Sequence, residues 1–170
     1  MKEISAGPAS IYQVISDSQN NLWMAEYQRG HIGKIDAKTG KVTWHLLPTA
    51  NARARRMTID DQDRIFVTEY RGNKIGMFDT KEEKFQEWKL PTPWSGPYYP
   101  AVDKNGDIWT GGMHSDRAVR IDPKTGATTE YLLPKETNMR SVFVDNSTPT
   151  PTFWTGSNHG AAVVKVEPLD

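Results

Sequence analysis

Apolar and polar residues alternate along this chain in short runs, and clusters of Asp, Asn, Gly and Thr separate the runs. In the stretch RIFVTEYRGNKIGMFD at 64–79 and its surroundings, the pattern predicts strands at 56–59, 65–69, 74–78 and 85–90, joined by turns at DDQDR, RGN and DTKEEK. The same frame is written at 21–36 as NLWMAEYQRGHIGKID, at 107–122 as DIWTGGMHSDRAVRID and at 152–167 as TFWTGSNHGAAVVKVE. Its aromatic position falls at Trp23, Phe66, Trp109 and Trp154, with spacings of 43, 43 and 45 residues. Asp17, Asp60, Asp103 and Asp145 keep that step, as do Pro48, Pro91 and Pro134.

A period of this size made of short strands points to an all-β propeller with one four-stranded blade per repeat. The blades fall at about 6–48, 49–91, 92–134 and 135–170. Strand-B tryptophans Trp23, Trp109 and Trp154 are expected to pack between blades, where sheet-on-sheet contact needs large aromatic area. The fourth repeat ends before a strand D of its own, while residues 1–5 match the tail of such a strand. Met1 to Ile4 would then help close the last blade. Three closures stay open: a four-bladed ring, two chains forming an eight-bladed ring, or part of a longer propeller that has further blades N-terminal to these.

Composition narrows the function classes. The 21 basic residues balance 21 acidic ones, so no general attraction to nucleic acid or to an anionic membrane is expected. The absence of cysteine excludes disulfides, thiolate metal sites and cysteine nucleophiles. The opening MKEISAGPAS has neither the basic nor the apolar segment of a signal peptide, which points to the cytoplasm if Met1 is the native start. If the chain is a piece of a longer precursor, its compartment is open.

Propeller geometry gathers the loops between strands B and C, and those between D and the next A, on one face around the channel mouth. The opposite face carries repeated Asp, Lys and Thr turns with no further chemistry. The mouth should receive Glu26, Tyr27, His31, Glu69, Arg71, His114 and His159 from the first set of loops. Arg53, Arg55, Arg56, Trp94, Tyr98, Tyr99, Asn138 and Arg140 come from the second. Arg55, Tyr98 and Arg140 each stand five residues before a landmark aspartate, with Tyr12 at the matching place in the first repeat. Guanidinium forks select carboxylates or phosphates and stack on aromatic rings, so these arginines and tyrosines are candidates for gripping a small molecule or peptide. They are equally suited to a structural network with Glu26 and Glu69. Trp94, held among the prolines of PTPWSGPYYP, is a candidate stacking platform. His114 and His159 occupy the same loop position in adjacent blades; imidazoles there can serve as general bases or metal ligands.

VTEYRGNKIGMFDTKEEKFQEWKLPTP and WTGGMHSDRAVRIDPKTGATTEYLLP resemble the repeats of the virginiamycin B lyase (streptogramin lyase) family, and the resemblance runs through all four repeats. It implies a propeller of six or seven blades, a magnesium ion, and opening of a cyclic depsipeptide at its ester by elimination. It further implies a site built from histidines at the positions of His114 and His159 with a nearby glutamate. Two residues before these histidines the chain has Gly112 and Ser157, while Glu26 and Glu69 hold that place in the other blades. Glu69 is therefore the expected third member, as catalytic group and as ligand, alongside His114 and His159. The alternative is a propeller without catalysis that binds a peptide, a carbohydrate or a protein at the same mouth.

Overall fold

The computed structural model describes residues 3–7 and 9–169. These residues contain no helix and form four antiparallel sheets, the blades of a β-propeller. Blade 1 consists of β1 (Ile11–Ser16), β2 (Leu22–Glu26), β3 (His31–Ile35) and β4 (Val42–Leu46). Blade 2 consists of β5 (Ala54–Ile59), β6 (Arg64–Glu69), β7 (Lys74–Asp79) and β8 (Lys84–Lys89). Blade 3 has β9 (Pro97–Val102), β10 (Ile108–Gly112), β11 (Arg117–Ile121) and β12 (Thr128–Leu132), and blade 4 has β13 (Val142–Asp145), β14 (Thr152–Ser157) and β15 (Ala162–Val166). Each sheet is a simple meander in chain order. The first strand of each blade lies innermost: β1 packs on β5, β5 on β9 and β9 on β13. Among the described residues the series stops there, and the four blades do not close a ring.

The landmark aspartates fix the turns between the first and second strands. Asp17 accepts bonds from the main-chain N–H groups of Gln19 and Asn21 and from Trp23 Nε1 (2.9 Å); Asp103 does the same for Asn105, Asp107 and Trp109 Nε1 (2.9 Å). One carboxylate thus satisfies the turn and orients the aromatic that enters the core.

That core is divided into three apolar layers, one between each pair of successive blades. Trp23 packs with Met57, Ile65 and Phe78 of blade 2; Phe66 with Ile108, Val119 and Ile121 of blade 3; and Trp109 with Phe153, Val144 and Val166 of blade 4. Trp154, expected in such a layer, is only partly buried, because among the described residues no further blade lies against that side of blade 4. Linkers add polar clasps. Thr49 donates to Glu87 of the next blade through its main-chain N–H (3.1 Å) and hydroxyl (2.9 Å), and Thr92 repeats both bonds to Glu130 (3.1 and 2.7 Å).

The expected outer strand at the N-terminus falls partly outside the described residues. Its described part, Glu3–Gly7, is not strand. Ile4 lies against the turn of blade 1, where a Cβ on Gly40 would be 3.6 Å from its Cδ1.

Candidate functional site

The mouth is shaped by a departure from regular pairing that recurs in three blades. In blade 1, Ile11 pairs with Glu26 but Gln13 pairs with Ala25, so Tyr12 is an extra residue. In blade 2, Ala54 pairs with Glu69 and Met57 with Val67, which sets Arg55 and Arg56 opposite Thr68 alone. In blade 3, Pro97 pairs with Gly112 and Pro100 with Thr110, which sets Tyr98 and Tyr99 opposite Gly111. Such bulges interrupt the ladder and re-aim side chains. Strand-B threonines take up the backbone groups that the bulges release. Arg56 N–H donates to Thr68 Oγ1 (3.2 Å), Thr68 donates to the Tyr98 carbonyl (2.9 Å), and Thr110 donates to the Tyr99 carbonyl (3.0 Å). All the displaced side chains therefore come to the inner, mouth end of the first strands.

Arg55 is the centre of the resulting cluster. Its guanidinium carbon lies 3.7 Å from the ring centroid of Tyr70, 4.8 Å from that of Tyr98, 5.4 Å from Tyr27 and 5.5 Å from Tyr12. Arg56 lies over Tyr12 (5.7 Å) and Tyr99 (6.0 Å), and Arg53 over Tyr27 (5.1 Å). Five of the six tyrosines in the chain thus face these arginines. Tyr12 and Tyr98 share a hydrogen bond between their hydroxyls. Burial raises the pKa of Tyr12 above the usual phenol value, with the Tyr98 bond adding to the rise. Burial acts the same way on Tyr98, but the Tyr12 bond and the charge of Arg55 outweigh it and hold this phenol below the usual range.

His114 joins the cluster through Tyr70. Its Nε2 is 2.6 Å from the Tyr70 hydroxyl, and the two rings meet edge to face at 5.7 Å. The ring also lies close to Gly96, where a Cβ would come within 2.8 Å of it; no larger residue fits there without moving the imidazole. His159 is exposed in the loop after β14. Arg140 is exposed, and its Nε donates to Asn138 Oδ1 (2.7 Å). Arg71 is exposed as well, tied to Ala52 only through its main-chain N–H (3.0 Å). Trp94 stands on the tip of its loop with left-handed backbone (φ 58°) and is 78% exposed, while the neighbouring Ser95 is fully buried and anchored to Asn73 (2.8 Å).

Glu69 lies elsewhere. Side chains alternate along a strand, and in β6 Phe66 and Thr68 face blade 3 whereas Val67 and Glu69 face blade 1. The carboxyl is fully buried and walled in by Gly72, Gly76 and Thr49; a Cβ on either glycine would come within 2.9 Å of it. The Thr49 hydroxyl and Lys74 (2.6 Å) are committed to Glu87, so neither Glu69 oxygen has a well-aligned donor, and its carboxyl neighbours that of Glu87. Burial, reinforced by the neighbouring Glu87, pushes the Glu69 carboxyl up to about 8. Glu26 at the matching place caps its loop, accepting from the N–H groups of Ser10, Gln28 and Arg29. Ser157 does likewise for Gly160 (2.9 Å). This repeat position therefore serves loop closure in blades 1 and 4.

Among the described residues no three His, Asp or Glu side chains are grouped to hold a metal ion. Magnesium favours charged oxygen ligands in octahedral array. A fully buried carboxyl turned toward blade 1 and an imidazole bonded to a phenol do not supply them, so His114, His159 and Glu69 do not fit that ion as a set. A cavity of 530 Å³ opens on the opposite face between blades 2 and 3, lined by turn residues such as Asp60, Asp61 and Lys104. It is remote from the arginine–tyrosine cluster.

Residues 1–169 match the model of the virginiamycin B lyase family. The chain belongs to that family. A streptogramin B lyase structure superimposes with a TM-score of 0.84 at 27% identity, over 95% of this chain and 53% of the other. A catalytically inactive virginiamycin B lyase from Staphylococcus aureus, solved with quinupristin, gives 0.78 at 26% identity over 95% of this chain and 56% of its own. The chain thus spans about half the length of these lyases. Hydrazine synthase from Kuenenia stuttgartiensis shares the fold at a TM-score of 0.76, with only 11% identity over 98% of this chain and 48% of the other. No curated protein matches the sequence.

The bulges and the central place of Arg55 were not expected from the sequence of this virginiamycin B lyase family member. One signal was available: Pro97 and Pro100 inside β9 cannot donate to a ladder, and proline within a strand marks an edge or a bulge.

Proposed function

We propose that this chain forms part of the mouth of a lyase that opens a cyclic ester, such as that of a cyclic depsipeptide, by elimination. The observation that carries the reading is the pairing of His114 with Tyr70 beside Arg55, in a chain of the virginiamycin B lyase family. In the proposed step a base removes the proton α to a carbonyl. The adjacent C–O bond of the ester breaks, a C=C bond forms, and the electron pair leaves with the carboxylate. His114 takes up the proton at Nε2, either directly or through the hydroxyl of Tyr70, and the guanidinium of Arg55 steadies the negative charge. His159 is the second imidazole of the proposed site. No step is assigned to a metal.

Mass spectrometry of the purified protein incubated with quinupristin tests this. Elimination gives a linear product of unchanged mass, whereas hydrolysis adds one water. His114→Ala and His159→Ala should each lower kcat/KM by about a hundredfold or more, with unchanged melting curves, because loop imidazoles contribute little packing. Opening at the wild-type rate by both variants would overturn the assignment. The position of Glu69, buried and turned from the mouth, favours a second reading in which the arginine–tyrosine mouth binds its ligand without reaction. Recovery of intact cyclic peptide together with a saturable complex would select that reading.

A further inference from the structure

We infer that Arg55 and Arg56 form a carboxylate seat at the channel mouth, suited to a carboxylate carried on an apolar body. Consecutive residues of a regular strand point to opposite faces; the β5 bulge instead lets both guanidinium groups approach the Tyr12 ring, at 5.5 and 5.7 Å. Among the described residues neither arginine has an acidic partner, although most other part-buried cations do: Arg64 pairs with Asp60, Lys74 with Glu87 and Arg117 with Glu130. Both Nε atoms are buried without an acceptor. The acceptors around Arg55 are neutral, the Tyr12 hydroxyl at 3.5 Å, the Met113 sulfur at 3.7 Å and the neighbouring phenols of Tyr27 and Tyr98. Two part-buried like charges without a counter-ion are unfavourable, and an anion entering between them relieves the repulsion.

Stacking at 3.7 Å on Tyr70 holds the plane of the Arg55 guanidinium, a group whose planar N–H fork matches the two oxygens of a carboxylate. The hydroxyls of Tyr12 and Tyr98 carry two protons and use one between them. The other is available as a further donor. The surrounding rings suit an apolar body, and among the described residues no lysine joins the two guanidinium groups over these rings, whereas phosphate sites draw on lysines and main-chain nests. This inference deepens the proposed function and rests on its elimination chemistry for the source of the anion, since the ester oxygen leaves as a carboxylate. The seat itself requires no turnover.

Calorimetric titration at low salt with phenylpropionate, the matched alcohol phenylpropanol and inorganic phosphate tests it on the intact chain. Phenylpropionate should bind at least about tenfold more tightly than either of the others. The preference should vanish in Arg55→Gln and in Arg56→Gln, and weaken in Arg55→Lys, which keeps charge but loses the fork. If Arg55→Gln does not fold, Arg56→Gln and the acid–alcohol comparison in the wild type still decide. Equal affinity for acid and alcohol overturns the seat, as does tighter binding of phosphate. A Tyr98 phenolate absorbing at neutral pH without carboxylate binding also overturns it, because the counter-ion would then be internal. Depsipeptide opening with no carboxylate preference removes the seat alone; carboxylate binding without depsipeptide opening removes the elimination reading alone.

Discussion

Trp109→Ala should destabilise the chain by about 3–5 kcal/mol, the range for removing a large aromatic from a packed core. Trp109 is fully buried, and its indole is stacked between Tyr131 (5.7 Å) and Phe153 (5.5 Å), the latter from the next blade. The same ring donates to Asp103. Alanine therefore opens a cavity between blades 3 and 4 and leaves a buried carboxylate oxygen without its donor. Trp109→Phe separates the two contributions: it keeps most of the stack and loses the hydrogen bond, at a cost of about 1–2 kcal/mol. Trp154→Ala is the internal comparison. It changes the same repeat position on a partly exposed side of blade 4, and its cost should fall well below that of Trp109→Ala. Urea unfolding midpoints measure all three, and equal losses for Trp109→Ala and Trp154→Ala would contradict the packing described.

Glu69→Gln should change how stability depends on pH. The folded-state value of about 8 lies above the ordinary 4.5, so the folded chain retains a proton that the unfolded chain releases. The contribution of this group is complete below about pH 4.5 and is lost as pH rises through about 8. Glutamine keeps the shape of the neutral acid between Gly72 and Gly76 and cannot ionise. The variant should match or exceed the wild type at about pH 8 by an amount on the order of a few kcal/mol, and the two should converge toward about pH 5. Two other groups do not confuse this window. Burial raises Glu87, but the Lys74 and Thr49 bonds outweigh it and hold that carboxyl below its usual range, so it titrates in more acidic solution. Burial against Trp23 and Phe78 holds His45 down; its contribution grows with pH and cancels in the difference between the two proteins. Thermal melts across pH 5–8 provide the measurement, and parallel curves for both proteins would show that Glu69 is ionised in the folded state.

The blades were legible because the features that make them repeat. Asp17, Asp60 and Asp103 organise turns by the same local bonds, and the strand boundaries of blade 2 follow its alternation closely. The residues at the mouth were legible as a set but not as an arrangement. Strict alternation places Arg55 and Arg56 on opposite faces, and only the bulge, held by Thr68, brings both to the Tyr12 ring. Glu69 misled for the converse reason: sequence position sets it at the end of a mouth-facing strand, while parity along β6 turns its carboxyl toward blade 1. The recurring threonine at Thr68, Thr110 and Thr155 carried the missing information, because its hydroxyl bonds backbone groups at the inner side of the blades: Arg56 and Tyr98, Tyr99, and Ser141.

The central claim is that ligands meet this chain at the arginine–tyrosine mouth. Carbon-13 labelling of the six tyrosine rings and titration with a cyclic depsipeptide tests it most directly. Tyr131, stacked on Trp109 away from the mouth, serves as the reference. The expected result is shifted resonances for Tyr12, Tyr70 and Tyr98, with Tyr131 unchanged and the shifts abolished in Arg55→Gln. Saturable binding that leaves those three rings unmoved would contradict the account.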